Sequence, residues 1–130
     1  MKTLNLLNWL VSQDASLADK IAVGNIDGNA EHFVGVYAAT SAGAQQRVCI
    51  GVPALTDSAS FTVLVHWSNS PVQAEAKARE LYNRLYAFTG NMDGVTVYYC
   101  DPGAQPISVG KDVNGICEFV INLKITYEKE

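Results

Sequence analysis

His32 and His66 are the only two histidines in the chain, and histidine is the residue type that most often exchanges a proton near neutral pH. Acid–base catalysis would therefore be built on one of them. His66 falls in Phe61–Trp67, where Phe61, Val63, Val65 and Trp67 alternate with Thr62 and His66. That places it on the less apolar face of a strand, with no neighbouring pattern of nucleophile and carboxylate. It reads as a partly exposed strand histidine.

Cys49, Cys100 and Cys117 are odd in number and contain no CxxC pair. A zinc site would need four ligands to converge without any local spacing motif, and free thiols kept reduced in a cytosol explain the cysteines better. Gly24-Asn25-Ile26-Asp27-Gly28-Asn29 lacks the glycine spacing that cradles phosphates and the terminal glutamate of a calcium loop, so it reads as a turn. Ser58 and Ser60 have no GxSxG elbow, and Asp101-Pro102-Gly103 is turn chemistry. The expectation is no catalytic residue, no cofactor, no metal and no enzymatic activity.

The elements that would carry these residues are easier to read. Leu4, Leu7, Leu10 and Val11 recur at helical spacing, with Thr3 as N-cap of a first helix. Period-two alternation predicts strands over His32–Tyr37, Arg47–Val52, Phe61–Trp67 and Val95–Asp101, with a weaker one near Ile21–Ile26. Ser70-Pro71-Val72-Gln73 is a capping box with proline at the first helical position. Behind it, Ala74, Ala78, Leu81, Tyr82, Leu85 and Phe88 form one apolar stripe, and Gly90 is the expected C-terminal stop. Glu75 with Arg79 and Glu80 with Arg84 read as exposed pairs.

The last strand runs Cys117–Tyr127, with apolar odd positions and mostly polar even ones. At ~3.3 Å per residue it is longer than most, long enough to pair within the domain and also with a neighbour. The order of elements predicts an α+β fold: a mostly antiparallel sheet with two helices on one face.

Bulk properties narrow the class. One domain spanning 1–130 suits the 130 residues, and 48% hydrophobic with 17% charged residues is globular composition. The net charge of −4 with no basic block argues against reading nucleic-acid sequence. No apolar run approaches the ~20 residues of a membrane span. Leu4–Val11, interrupted by Asn5 and Asn8, is an amphipathic helix rather than a signal peptide.

One segment exceeds what a hairpin needs: Pro106–Gly115, read as a loop between two strands. Long, partly charged loops are frequently functional. Ile107, Val109, Lys111, Asp112 and Asn114 are therefore candidate interface residues, together with Glu118, Asn122 and Lys124 on the polar face of the last strand. The alternative is a flexible connection.

Three ordered pieces carry a family resemblance. They are the turn Gly24–Asn29 leading to Phe33-Val34-Gly35-Val36-Tyr37; Val63–Ser70 running into the helix with Ala74-Glu75 and Leu81-Tyr82; and Ile107-Ser108-Val109-Gly110-Lys111-Asp112 followed by Gly115–Asn122. The set resembles the phage minor capsid protein family, whose members are similar to tail-terminator or tail-completion proteins.

The resemblance implies an α+β subunit without catalytic residues that assembles with itself, typically as a hexameric ring, at the head-proximal end of a tail. Implied partners are the tail tube protein and head-completion or connector proteins. DNA would pass through the lumen without sequence-specific binding, and no membrane would be involved. The protein would be made in the host bacterial cytoplasm and reside in the virion. A head-side adaptor contacting the portal and a small ligand-binding α+β domain remain the alternatives.

Overall fold

The alternating stretch at the end of the chain becomes the centre of the sheet. The computed structural model describes residues 1–24, 31–39 and 56–128. Within them lie α1 (Thr3–Gln13), a 3₁₀ turn (Ala15–Leu17), β1 (Ile21–Val23), β2 (Phe33–Ala39), β3 (Thr56–His66), α2 (Pro71–Leu85), β4 (Gly90–Met92), β5 (Val95–Asp101), β6 (Ile107–Lys111) and β7 (Cys117–Glu128). The strand expected over Arg47–Val52 and most of the Gly24–Asn29 turn lie outside the described residues.

The seven strands form one sheet in the order β1-β2-β3-β7-β5-β4, with β6 attached to β7. Only β1 and β2 pair in parallel. The fold is α+β, with a mixed and mostly antiparallel sheet.

On one side β7 pairs with β3 along its length, from His66 opposite Glu118 to Thr56 opposite Glu128. On its other side β6 takes Cys117–Val120 and β5 takes Lys124–Tyr127. Of the length expected to be shared between the domain and a neighbour, only 121–123 is left without a second strand partner among the described residues. The rest is used inside the domain, where each partner supplies hydrogen bonds that burial would otherwise leave unmade.

Alternation sorts the two faces. Phe61, Val63 and Val65 of β3, and Phe119, Ile121, Leu123 and Ile125 of β7, are buried in one core with Leu6, Trp9 and Leu10 of α1 and Ala74, Ala78, Leu81 and Leu85 of α2. The opposite face carries Thr62, Leu64, His66, Glu118, Val120, Asn122 and Lys124. α1 touches β1 and β2 at one end of the strand order and β4 at the other. Its Asn5 and Asn8 side-chain amides donate to the Asp93 carboxylate in the β4–β5 turn, at 3.2 and 2.9 Å.

Several local expectations need correction. α1 buries Leu6, Trp9 and Leu10, while Leu4 is exposed; Trp9 decides the face because its ring meets Phe88 at 4.7 Å between centroids. The N-cap is Lys2, not Thr3, and its backbone N–H donates to the Asn5 side chain at 2.7 Å. Ser70 does cap α2, accepting from the Gln73 amide at 3.5 Å. The reciprocal half of the box is absent, because the Ser70 N–H donates to Ser68 instead, at 3.3 Å.

α2 also stops earlier than its stripe suggests. Ala87 takes the left-handed conformation, at φ 53°, and its N–H donates to the Cys100 carbonyl. Gly90 instead begins β4, at φ 141°.

Candidate assembly surface

Pro106–Gly115 is not a loop throughout: Ile107–Lys111 is a strand, β6, and all five of its residues are exposed. Ile107 pairs with Val120, Ser108 with Phe119, Gly110 with Glu118 and Lys111 with Cys117. The register shifts between Ser108 and Gly110, making Val109 the extra residue of a bulge, a device that bends and twists a strand at a sheet margin. Gly110, at φ 89°, supplies a backbone conformation that other residues rarely adopt.

Local periodicity does not mark this strand, because its apolar residues have no buried face. Ile107 is 50% exposed and Val109 54%. Beyond them Val113 is fully exposed.

The connection from β6 to β7 is tightly built. Asp112 donates its N–H to the Ile116 carbonyl and accepts the Gly115 N–H. Its Oδ1 also accepts the amides of Asn114 and Ile116, at 2.8 and 3.0 Å. At the hairpin's base, Cys117 donates its N–H to the Ser68 carbonyl and accepts that of Trp67. The charged turn is thus an ordered cap, with Asp112 as its organiser.

The eight candidate interface residues divide by position. Ile107, Val109, Lys111, Asp112 and Asn114 lie on the hairpin, and Glu118 lies at its base. Asn122 and Lys124 continue along the same open face of β7 and are exposed. The Asn122 side-chain oxygen accepts from the Thr62 hydroxyl at 3.0 Å, and Lys124 faces Asp101 in register across the ladder. A shallow groove of about 380 Å³ runs there, lined in part by Ser60, Asp101, Gly103, Asn122 and Lys124. It lies at 121–123, where among the described residues β7 has a strand partner on its β3 side only.

His66 departs from the expectation of a partly exposed strand residue. Its side chain is 1% exposed, not partly exposed, and it lies between two carboxylates. Nδ1 stands 3.1 Å from Glu118 Oε2 and Nε2 3.6 Å from Asp112 Oδ2. Burial of the Tyr37 phenol raises its pKa above the usual range, and the charge of Glu118 pushes it further the same way. The pairing of β3 with β7 makes this cluster, and register between distant strands is not written in local periodicity.

A second cleft, of about 330 Å³, is lined by His32, Trp67, Gln73, Ala76, Lys77 and Glu80. His32 stacks on Trp67 at 4.4 Å. Lys77 lies 5.1 Å above the same ring and pairs with Asp14 at 2.6 Å and Glu80 at 3.5 Å. With its charge so paired, Lys77 serves as a tie between α2 and the residue that follows α1.

Cys100 and Cys117 are buried free thiols, and Cys49 is outside the described residues. Burial, with a smaller push from Asp101, moves the Cys100 pKa up to about 12, so it is held as the unreactive thiol. Among the described residues no three of His, Cys, Asp and Glu are arranged to hold a metal ion, and no helix is long and apolar enough to cross a membrane.

None of the curated proteins matches this chain. One solved structure aligns over 100% of this chain and 96% of its own, at 12% identity and a TM-score of 0.41; likeness at that level carries no argument. The family model described as bacteriophage tail terminator protein matches residues 11–129. That match takes in all seven strands, α2, the β6–β7 hairpin and its seat at His66, and with it the chain belongs to the bacteriophage tail terminator protein family.

Proposed function

We propose that this tail terminator acts as a ring of identical subunits, six by the family resemblance, at the head-proximal end of the tail. There it ends the tube and presents a surface to the head. Its partners are its own copies, the tail tube protein and the head-completion or connector proteins, within the virion. DNA crosses the lumen without being read, a role that suits a net charge of −4, since cationic walls would hold phosphates.

The observation that carries this reading is β6. It is an ordered strand, exposed at every residue, and among the described residues it pairs with β7 alone. A monomer normally hides or blunts such an edge. A subunit of an assembly can use it, since an unpaired strand edge hydrogen-bonds another chain while alternate side chains fit pockets. Ile107, Val109 and Val113 add apolar area at the same place.

The test puts charge on the edge without touching the core. Ile107→Lys with Val109→Lys should leave the circular-dichroism spectrum and melting temperature near wild type. In native mass spectrometry the ring should be lost, and in complementation the variant should fail to yield tails of normal length joined to heads. Rings and infectious particles formed at wild-type levels would refute the assignment of the contact to this hairpin.

A further inference from the structure

Where the hairpin meets β3, the buried His66 lies between two carboxylates, an arrangement that a cationic imidazole suits. A neutral imidazole has a single N–H. With Nδ1 3.1 Å from Glu118 Oε2, that hydrogen is best placed there. The Nε2 lone pair then faces the Asp112 carboxylate at 3.6 Å, and this buried nitrogen has no hydrogen-bond partner among the described residues.

Neither side can easily turn away. The His66 ring is held by burial between β2 and β7, and Asp112 is held by the two amides on its Oδ1. A ring with N–H on both nitrogens hydrogen-bonds Glu118 and forms an ion pair with Asp112 at the same time.

The cation nearest in sequence is Lys111, which precedes Asp112 on β6, is exposed, and among the described residues is ion-paired with neither carboxylate. β7 presents Glu118 and the turn presents Asp112. β2 presents the uncharged Phe33 across the ladder and Tyr37 farther along, within reach of the Glu118 charge. Among the described residues the lysine and arginine ion pairs go to Asp14, Glu75 and Glu80 instead.

We propose that His66 is a proton-operated latch: doubly protonated, it ties Glu118 at the base of the hairpin to Asp112 in its turn, and loss of one proton to solvent releases the turn. This deepens the reading of the hairpin as the assembly contact, on which one consequence rests: ring formation follows the same protonation.

The experiment is amide hydrogen exchange on the intact, unassembled chain at about pH 6 and about pH 8, corrected for the intrinsic pH dependence of exchange, in wild type and His66→Gln. In wild type the amides of Ile107–Gly115 should exchange roughly tenfold more slowly at the lower pH, the worth of one charge-assisted hydrogen bond. His66→Gln, which keeps polar atoms but cannot charge, should show the same protection at both. Wild-type protection that ignores pH, or a variant that keeps the pH response, overturns the latch.

The ring nitrogens of wild-type His66, followed by ¹⁵N NMR, decide the matter if the variant does not fold. Two N–H signals where protection is greatest support the latch, and a ring neutral at both pH values overturns it. Protection that appears only with added zinc and vanishes with a chelator would assign the joint to a metal and overturn the proton. The lysine substitutions on β6 test assembly separately, so the latch and the assembly contact can fail independently.

Discussion

At the scale of single residues, the polar groups with buried surroundings are the informative ones. Asp14 joins the end of α1 to α2 through Lys77, and its pKa is lowered to about 2, chiefly by the hydrogen bond from Lys77 and then by Ser16. A carboxylate with a depressed folded-state pKa adds stability above its unfolded value and loses it as pH falls toward the folded one. The contribution should thus be complete above about pH 5 and fade as pH falls to about 2, amounting to about 1–2 kcal/mol after solvent screening. Chemical denaturation at stepped pH should show that slope in wild type and a flatter one in Asp14→Asn. A slope that persists in the variant assigns the acid sensitivity elsewhere. Cysteine chemistry makes a second residue-scale test: in the folded protein Cys100 and Cys117 should react slowly with a thiol reagent, and denaturation should release both. A disulfide between any of the chain's cysteines would overturn the reduced assignment.

At the scale of elements, α2 offers a clean contrast. Leu81 and Leu85 are fully buried, so replacing either with alanine should cost about 2–5 kcal/mol through the cavity it leaves. Arg79 and Arg84 have 47% and 37% of their side-chain surface exposed, and the same change there should cost under about 1 kcal/mol. Equal losses in urea melts would mean that the helix packs by another face. This helix, β5 and β7 were legible because each shows a periodic apolar face and a clear start, such as Ser70-Pro71. The end of α2 was not, because Phe88 leaves the helical stripe to meet Trp9, a tertiary contact that no spacing rule contains. β6 was hidden for the opposite reason: with every residue exposed, it carries no alternation between core and solvent. Its residues were singled out by segment length, while the joint beneath them, His66 with Glu118 and Asp112, depends on register across β3 and β7.

At the scale of the whole molecule, α1 holds together parts of the sheet that are far apart in strand order. It packs on β1 and β2 at one end and on β4 at the other, and Asn5 and Asn8 reach the Asp93 carboxylate in the β4–β5 turn. The family match begins at residue 11, near the end of this helix, yet Leu6, Trp9 and Leu10 belong to the same core as the central strands. A helix that bridges both ends of a sheet should be felt by every strand, so its loss should unfold the domain cooperatively rather than fray one edge. Trp9→Ala removes the ring that meets Phe88 and should cost about 3–5 kcal/mol, with the urea transition shifting as a unit by fluorescence and by circular dichroism. Leu4→Ala, on a side chain 55% exposed, should change stability by less than about 0.5 kcal/mol. If Trp9→Ala instead left the cooperative transition where it was and increased exchange only in residues 1–24, α1 would be an appendage. The core would then close without it.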